Sequence, residues 1–212
     1  MTLLFIARFV RPDILLPVTL LACRLKTANE LDHSEAIRIV RYLKGTKKVG
    51  LVFVGPPEAV MKFFVDASHG LINGRGIGAF MVTLGAACIL AKCWFLKFIT
   101  LSSTESEVCA MTESITYVLW MRRVLEELGH TQAGPTVIFQ DNEAAIRMQN
   151  AGSRNFKRSK HLLAKAAFCS EQLHDGTATT AKIGTEDMLC DMITKVMNGP
   201  SLQRNMRDVY MG

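Results

Sequence analysis

The sequence predicts an α/β protein, a mixed sheet carrying helices on its faces. Three observations lead there. Short, wholly apolar runs, Phe63-Phe64-Val65 and Val137-Ile138-Phe139, have the composition of central strands buried on both sides. Between them lies a long segment whose Val108, Met111, Ile115, Val118, Leu119, Val124 and Leu125 keep helical spacing. From residue 58 onward the order reads β-β-β-α-β-α-α-β-α, which requires helices stacked on a sheet.

Taken in order, Asp13 is placed to cap a first helix with Leu15, Leu16, Val18, Thr19 and Ala22 on its apolar face. A second helix is predicted from about Ser34, through Ile37, Val40, Arg41, Leu43 and Lys44, to Gly45. The apolar run Val49 to Val54 stops at Gly55-Pro56-Pro57, the clearest boundary signal in the chain. It divides residues 1–57, too small to bury much alone, from residues 58–212. Beyond it the strand Phe63 to Val65 ends in Asp66-Ala67-Ser68. The turn Gly74-Arg75-Gly76 leads into strands Ile77 to Leu84 and Ala87 to Leu101. Ser102-Ser103-Thr104 can cap the long helix that runs to Gly129. Pro135 opens the strand that ends at Asp141. Helices near 142–150 and 159–174, a strand from Ala178 to Ile183, and a helix from Glu186 to Met197 complete the chain.

Of 212 residues, 49% are apolar and 21% charged, which excludes a disordered chain. Glycine at 15 and proline at 6 exclude collagenous and low-complexity classes. The formal net charge of +6 suits an anionic partner. Six cysteines, Cys23, Cys88, Cys93, Cys109, Cys169 and Cys190, form no CxxC pair, as expected of reduced thiols in an intracellular protein. The opening MTLLFIARFVRPD has no basic stretch before its apolar residues, so no secretory signal is expected. The most apolar segment, Ile77 to Ala91, is interrupted by Gly85 and falls short of the roughly 20 residues of a membrane span. The expectation is a soluble protein of the cytoplasm or nucleus.

The acids carry the functional information. Asp66 and Asp141 stand at the ends of the two buried strands, where ligands of α/β sheets gather. If those strands are parallel neighbours, both carboxylates point into one crevice. Glu107 lies early in the long helix and Asp191 in the last one. Like charges so close require a counter-charge, which divalent cations with oxygen ligands supply. Plainer readings stand beside this one. Asp141 can cap the helix that follows, Glu105 and Glu107 can favour a helix N-terminus, and Asp191 can be an ordinary surface residue.

Five segments occur in a telling order: FFVDASHG, ITLSSTESEVCAM, VIFQDNEAAI, RSKHLL and GTEDMLCDMITK. Together they resemble the C-terminal ribonuclease H domain of copia-type LTR retrotransposon polyproteins. The opening ARFVRPD and the stretch RIVRYLKGTKKVGL resemble the link between that family's reverse transcriptase and this domain. The resemblance implies an RNase H-like mixed five-stranded sheet flanked by helices, with residues 1–57 as the end of the reverse transcriptase connection. It also implies two Mg²⁺ ions, with Mn²⁺ as a substitute, hydrolysing the RNA strand of an RNA–DNA hybrid. In that scheme Asp66 bridges both ions, Glu107 and Asp141 hold one, and Asp191 holds the other. Glu105, two positions round the helix, faces elsewhere. A reverse transcriptase domain of the parent polyprotein is an implied partner, and a virus-like particle the location in an intact element. No small-molecule cofactor and no membrane are implied. The sequence departs from the family at Val108, Ala164 and the apolar Cys93-Trp94-Phe95-Leu96, none of them a metal ligand in the scheme.

Residues 147 to 165 carry Arg147, Arg154, Lys157, Arg158, Lys160 and Lys165 with no acid among them, a phosphate clamp or a solvated face. Within it Lys157, Arg158, Lys160 and His161 are the substrate-binding candidates, Lys160-His161 matching the family's Lys-His. Arg38, Arg41, Lys44, Lys47 and Lys48 form a second basic stripe, expected outside the catalytic domain. Gly74-Arg75-Gly76-Ile77-Gly78 precedes a strand and no helix, so it is no dinucleotide site. A catalytically inactive remnant that binds nucleic acid without cutting it is the competing reading. A proofreading exonuclease expects an acid where Ser68 stands, and an integrase a final Glu where Asp191 stands.

Overall fold

A computed structural model describes residues 2–53, 60–72, 74–85, 87–150 and 160–209. Its helices and strands are α1 (Thr2–Phe9), α2 (Leu15–Ala22), α3 (Glu30–Gly45), β1 (Met61–Ile72), β2 (Arg75–Leu84), β3 (Ala87–Phe95), α4 (Ser103–Glu127), β4 (Thr136–Gln140), α5 (Glu143–Asn150), α6 (Lys160–His174), β5 (Ala178–Lys182), α7 (Asp191–Thr194) and α8 (Gly199–Asp208). Five strands form one sheet in the order β3-β2-β1-β4-β5. β1, β2 and β3 are antiparallel neighbours, while β4 pairs parallel to β1 and β5 parallel to β4. This is the mixed five-stranded sheet of the RNase H-like fold.

Both faces of the sheet are covered, which is why its central strands read as continuous apolar runs. On one face Phe63, Val65, Phe80 and Val82 pack against Met111, Ile115 and Val118 of α4 and Cys169 of α6. On the other, Phe64, Ile77, Ala79 and Met81 meet Ile14, Leu15, Leu16 and Val18, with Ala7 of α1, Ile39 of α3 and the Met188–Ile193 segment. The N-terminal helices therefore share a core with the sheet. The boundary signal at Gly55-Pro56-Pro57 lies outside the described residues. Among the described residues, no helix is long and apolar enough to cross a membrane.

Several elements differ from expectation for identifiable reasons. Asp13 caps no helix: its buried carboxylate takes Nε and Nη2 of Arg11 at 2.9 and 2.7 Å and the Tyr42 hydroxyl at 2.7 Å. α3 begins four residues before Ser34, because Asn29 and Asp32 form a reciprocal capping box. β3 stops at Phe95, short of the expected Leu101. The predicted helix from Glu186 to Met197 is instead a 3₁₀ turn (Thr185–Asp187) followed by the single turn α7. α1 and α8 were not predicted. Five of the six cysteines are buried, whereas Cys23 is exposed. Burial pushes the thiols of Cys88 and Cys93 up to about 12 and those of Cys109 and Cys169 to about 11.

The Arg11–Asp13 pair is buried on both sides, and breaking such a pair costs about 3–5 kcal/mol. Asp13→Ala is therefore expected to lower unfolding free energy by that amount in urea denaturation. Glu35→Ala, which removes the exposed partner of Arg38, should cost less than about 1 kcal/mol.

Candidate metal centre

Backbone register alone brings two of the acids together. Phe63 lies opposite Ile138 and Phe64 opposite Phe139 in the parallel β1–β4 pair. Two residues further along each strand stand Asp66 and Asp141. The Phe64 and Phe139 rings stack beneath them at 5.0 Å. The helix after β4 is capped by Asn142, whose Oδ1 accepts the Ala145 N–H at 3.1 Å. Asp141 is thus released from capping and opens onto the cleft.

Glu107 arrives from the other side of the sheet. Ser102 caps α4 by accepting the Glu105 N–H at 3.2 Å, and the Glu105 carboxylate accepts the Leu101 N–H at 2.8 Å. Glu105 is therefore spent on the helix end, as expected of a residue facing away. Glu107, two positions on, is buried, and Gln140 Nε2 donates to its Oε2 at 3.1 Å. One ligand oxygen each of Asp66, Glu107 and Asp141 falls within a group whose members all lie within 4.8 Å. Burial, with the negative charge of Asp66 and Asp141 beside it, holds the Glu107 carboxyl well above the usual carboxylate range. Three hard oxygen donors that repel one another are the donor set that Mg²⁺ or Mn²⁺ takes. The residues fit the implied metal.

Asp191 stands outside that tight group but next to it. Lys195, one helical turn on, places Nζ 2.7 Å from Asp191 Oδ1 and 3.6 Å from Asp66 Oδ2. The Thr194 hydroxyl donates to Asp66 Oδ2. Burial lifts the Asp191 carboxyl to about 6 despite Lys195, and the charge of Asp66 adds to the rise. Thr185 donates to Asp141 Oδ2 at 3.3 Å. Asp66, Glu107 and Asp141 line an open cleft of about 540 Å³, with Lys182 and Lys195 on its walls. Gln140, Thr185, Thr194 and Lys195 were not singled out from the sequence. The Asp191–Lys195 spacing of four residues was the one available signal.

The remaining candidates divide. Lys157 and Arg158, with Arg154, lie outside the described residues. Lys160 and His161 open α6, and their side chains are likewise outside the description. Of the same basic run, Arg147 pairs with Glu143 at 3.7 Å and Lys165 sits over the Phe98 ring at 4.5 Å. His69, flanking the site on β1, bonds through Nδ1 to Thr100 at 3.1 Å and Ser106 at 3.4 Å. It ties the strand to the first turn of α4.

No protein-family model matches the chain. Over 190 residues, 88% of its length, it is 30% identical to the retrovirus-related Pol polyprotein of transposon TNT 1-94 from Nicotiana tabacum. Over 201 residues, 92% of its length, it is 28% identical to that of transposon RE1 from Arabidopsis thaliana. The chain is thus similar to a stretch of retrovirus-related Pol polyproteins from transposons. It spans 14% and 13% of the length of these two relatives. Among solved structures it is similar to an RNase H1 from a compost metagenome, 14% identical with a TM-score of 0.45 over 60% of this chain and 86% of that one. A second similar structure is the N-terminal RNase H domain of a Mycobacterium tuberculosis protein, 8% identical with a TM-score of 0.46 over 71% of this chain and 98% of that one.

Gln140 is fully buried, and its Oε1 has no partner among the described residues. The amide is thus oriented to serve Glu107 at the expense of its own carbonyl. Gln140→Leu leaves the buried Glu107 carboxyl short of a donor, a loss of about 1–3 kcal/mol. Urea unfolding in metal-free buffer is the measurement.

Proposed function

We propose that this chain is a divalent-metal-dependent ribonuclease H that cleaves the RNA strand of RNA–DNA hybrids. The observation that carries the reading is the convergence of Asp66, Glu107 and Asp141, from β1, α4 and β4, within 4.8 Å. The five ordered sequence motifs and the Pol polyprotein relatives support the same reading. In it, residues 1–57 are the end of a reverse transcriptase connection and residues 58–212 the nuclease, and a polymerase domain of a parent polyprotein is the partner.

Asp66, Glu107 and Asp141 would hold one metal ion, and Asp66 with Asp191 a second. When bound, such ions lower the pKa of an attacking water and stabilise the departing 3′ oxygen. The protein's own work is positional and electrostatic. Thr194 fixes one oxygen of Asp66, and Gln140 fixes one oxygen of Glu107, so neither carboxylate is free to turn. Lys195 balances Asp66 and Asp191 from the cleft wall, where Lys182 stands paired with Glu143 at 2.5 Å. A scissile phosphate entering the cleft meets these cations, which offset the repulsion between its charge and the carboxylates. Backbone contacts of this kind grip a duplex without reading its sequence.

Two measurements test the reading. Cleavage of a labelled RNA–DNA hybrid in Mg²⁺ or Mn²⁺ should cut the RNA strand, and Asp141→Asn should abolish it. A protein that binds hybrid but cuts nothing in either metal would be the inactive remnant instead. Separately, Mn²⁺ should raise the melting temperature of the wild type by mass action. Asp66→Asn should lose that rise, and a wild type indifferent to metal would remove the metal centre from the argument.

A further inference from the structure

The second basic stripe lies on a helix that shares a core with the sheet: Ile39 of α3 packs in one cluster with Phe64, Ile77 and Met81. Between Arg38 and Lys48 the chain carries five cations and no acid. Arg41, Lys44, Lys47 and Lys48 are exposed, and among the described residues none forms an ion pair; Arg38 has only a solvent-exposed one with Glu35 at 3.5 Å. Cations are favoured at a helix C-terminus, but only Lys44 lies in the last turn of α3. Arg41 precedes that turn, and Lys47 and Lys48 follow the helix.

This end of α3 is held by a buried polar network. Arg11 donates through Nη1 to the Thr46 carbonyl at 3.0 Å and through Nη2 to the Thr46 hydroxyl at 2.8 Å. The Thr46 hydroxyl donates to the Tyr42 carbonyl at 2.8 Å, and the Tyr42 hydroxyl reaches Asp13 at 2.7 Å. An ion pair buried this deeply contributes little net stability over apolar packing. What it does supply is a fixed direction for the last turn of α3 and the lysines beyond it.

At its Arg38 end the stripe faces a recess that neighbours the metal cleft. A groove of about 390 Å³ runs between α3 and the segment after α7, with Arg38 and Tyr42 on one wall and Lys195 and Val196 on the other. Lys195 also lines the metal cleft. Lys195 thus borders both recesses, and the groove beyond it carries Arg38 with its partner Glu35. From Arg38 to Lys44 the helix rises about 9 Å, the axial rise of two to three nucleotides of one strand at about 3.4 Å each.

We propose that the basic end of α3 is a second phosphate-binding ridge, gripping the backbone of the hybrid where it emerges from the cleft. The proposal rests on the hybrid-cleaving reading above, and the test separates the two. An Arg41→Ala/Lys44→Ala/Lys47→Ala/Lys48→Ala variant is compared with its parent, both carrying Asp141→Asn so that hybrid is not consumed. Hybrid affinity is measured against KCl concentration, with a duplex of about 20 base pairs and with one of about 6 that ends inside the cleft. Each lost phosphate contact lowers the salt slope by about 0.9, so the long duplex should lose about 3 from its slope and at least tenfold in affinity at ~0.1 M KCl. The short duplex should bind both proteins alike, and their melting temperatures should agree. An unchanged slope on the long duplex, in a variant that melts like its parent, overturns the ridge alone. Equal losses on both duplexes overturn it too, since the cations would then act within the cleft or through net charge. A parent that binds neither duplex overturns the cleft reading and the ridge with it.

Discussion

The parallel pairing of β1 with β4 is the constraint on which the rest depends. One slip in its register would turn Asp66 or Asp141 to the opposite face of the sheet and separate the two carboxylates. The register is held by apolar side chains, not by the acids. Phe63 and Ile138 are sealed under α4, and Phe64 stacks on Phe139 on the other side. Covering both faces therefore does two things at once: it makes the core, and it fixes where the charges emerge. Glu107 completes the group because α4 packs on the same strands.

Such a cluster is costly to hold together in a metal-free protein. The molecule meets that cost with hydrogen bonds and one mobile cation instead of by separating the acids. Gln140 and Thr194 each bind one oxygen of a carboxylate, and Lys195 lies between Asp66 and Asp191. The two fixed donors restrain orientation, whereas the lysine supplies charge on a flexible stem that can be redirected when other charges arrive. Orientation and neutralisation are thus assigned to different residues.

The parts of this arrangement that were legible in the sequence are those with local causes. Strand ends marked by Asp after apolar runs, the serine cap of α4 and the two-residue offset of Glu105 from Glu107 are all short-range signals. What could not be read has long-range causes. Asp13 looks like a cap until α3 brings Tyr42 to it from 29 residues away, beside the neighbouring Arg11. The segment Met188 to Thr194 is buried throughout, so its apolar pattern has no solvent side from which helical period could be judged. It folds as one turn because the sheet and α2 enclose it, and short helices take their stability from such packing. Asp141 and Asn142 are adjacent, and only the hydrogen bond to Ala145 shows which of them caps and which is free for the cleft. Lys195 was hidden for the opposite reason: beyond its four-residue offset from Asp191, nothing distinguishes one lysine from another until its carboxylate neighbours are in place.

The distribution of thiols has a chemical consequence. Five cysteines lie buried with their protons held tightly, and the nucleophilic form of each is correspondingly scarce. Among its thiols the folded molecule exposes only Cys23, beyond the end of α2, to oxidants and alkylating reagents. Any disulfide the intact fold forms must therefore join two copies through that point, or tether the chain to another protein, leaving the sheet and its carboxylates undisturbed. Modification at more than one cysteine thiol becomes a direct report that the core has opened.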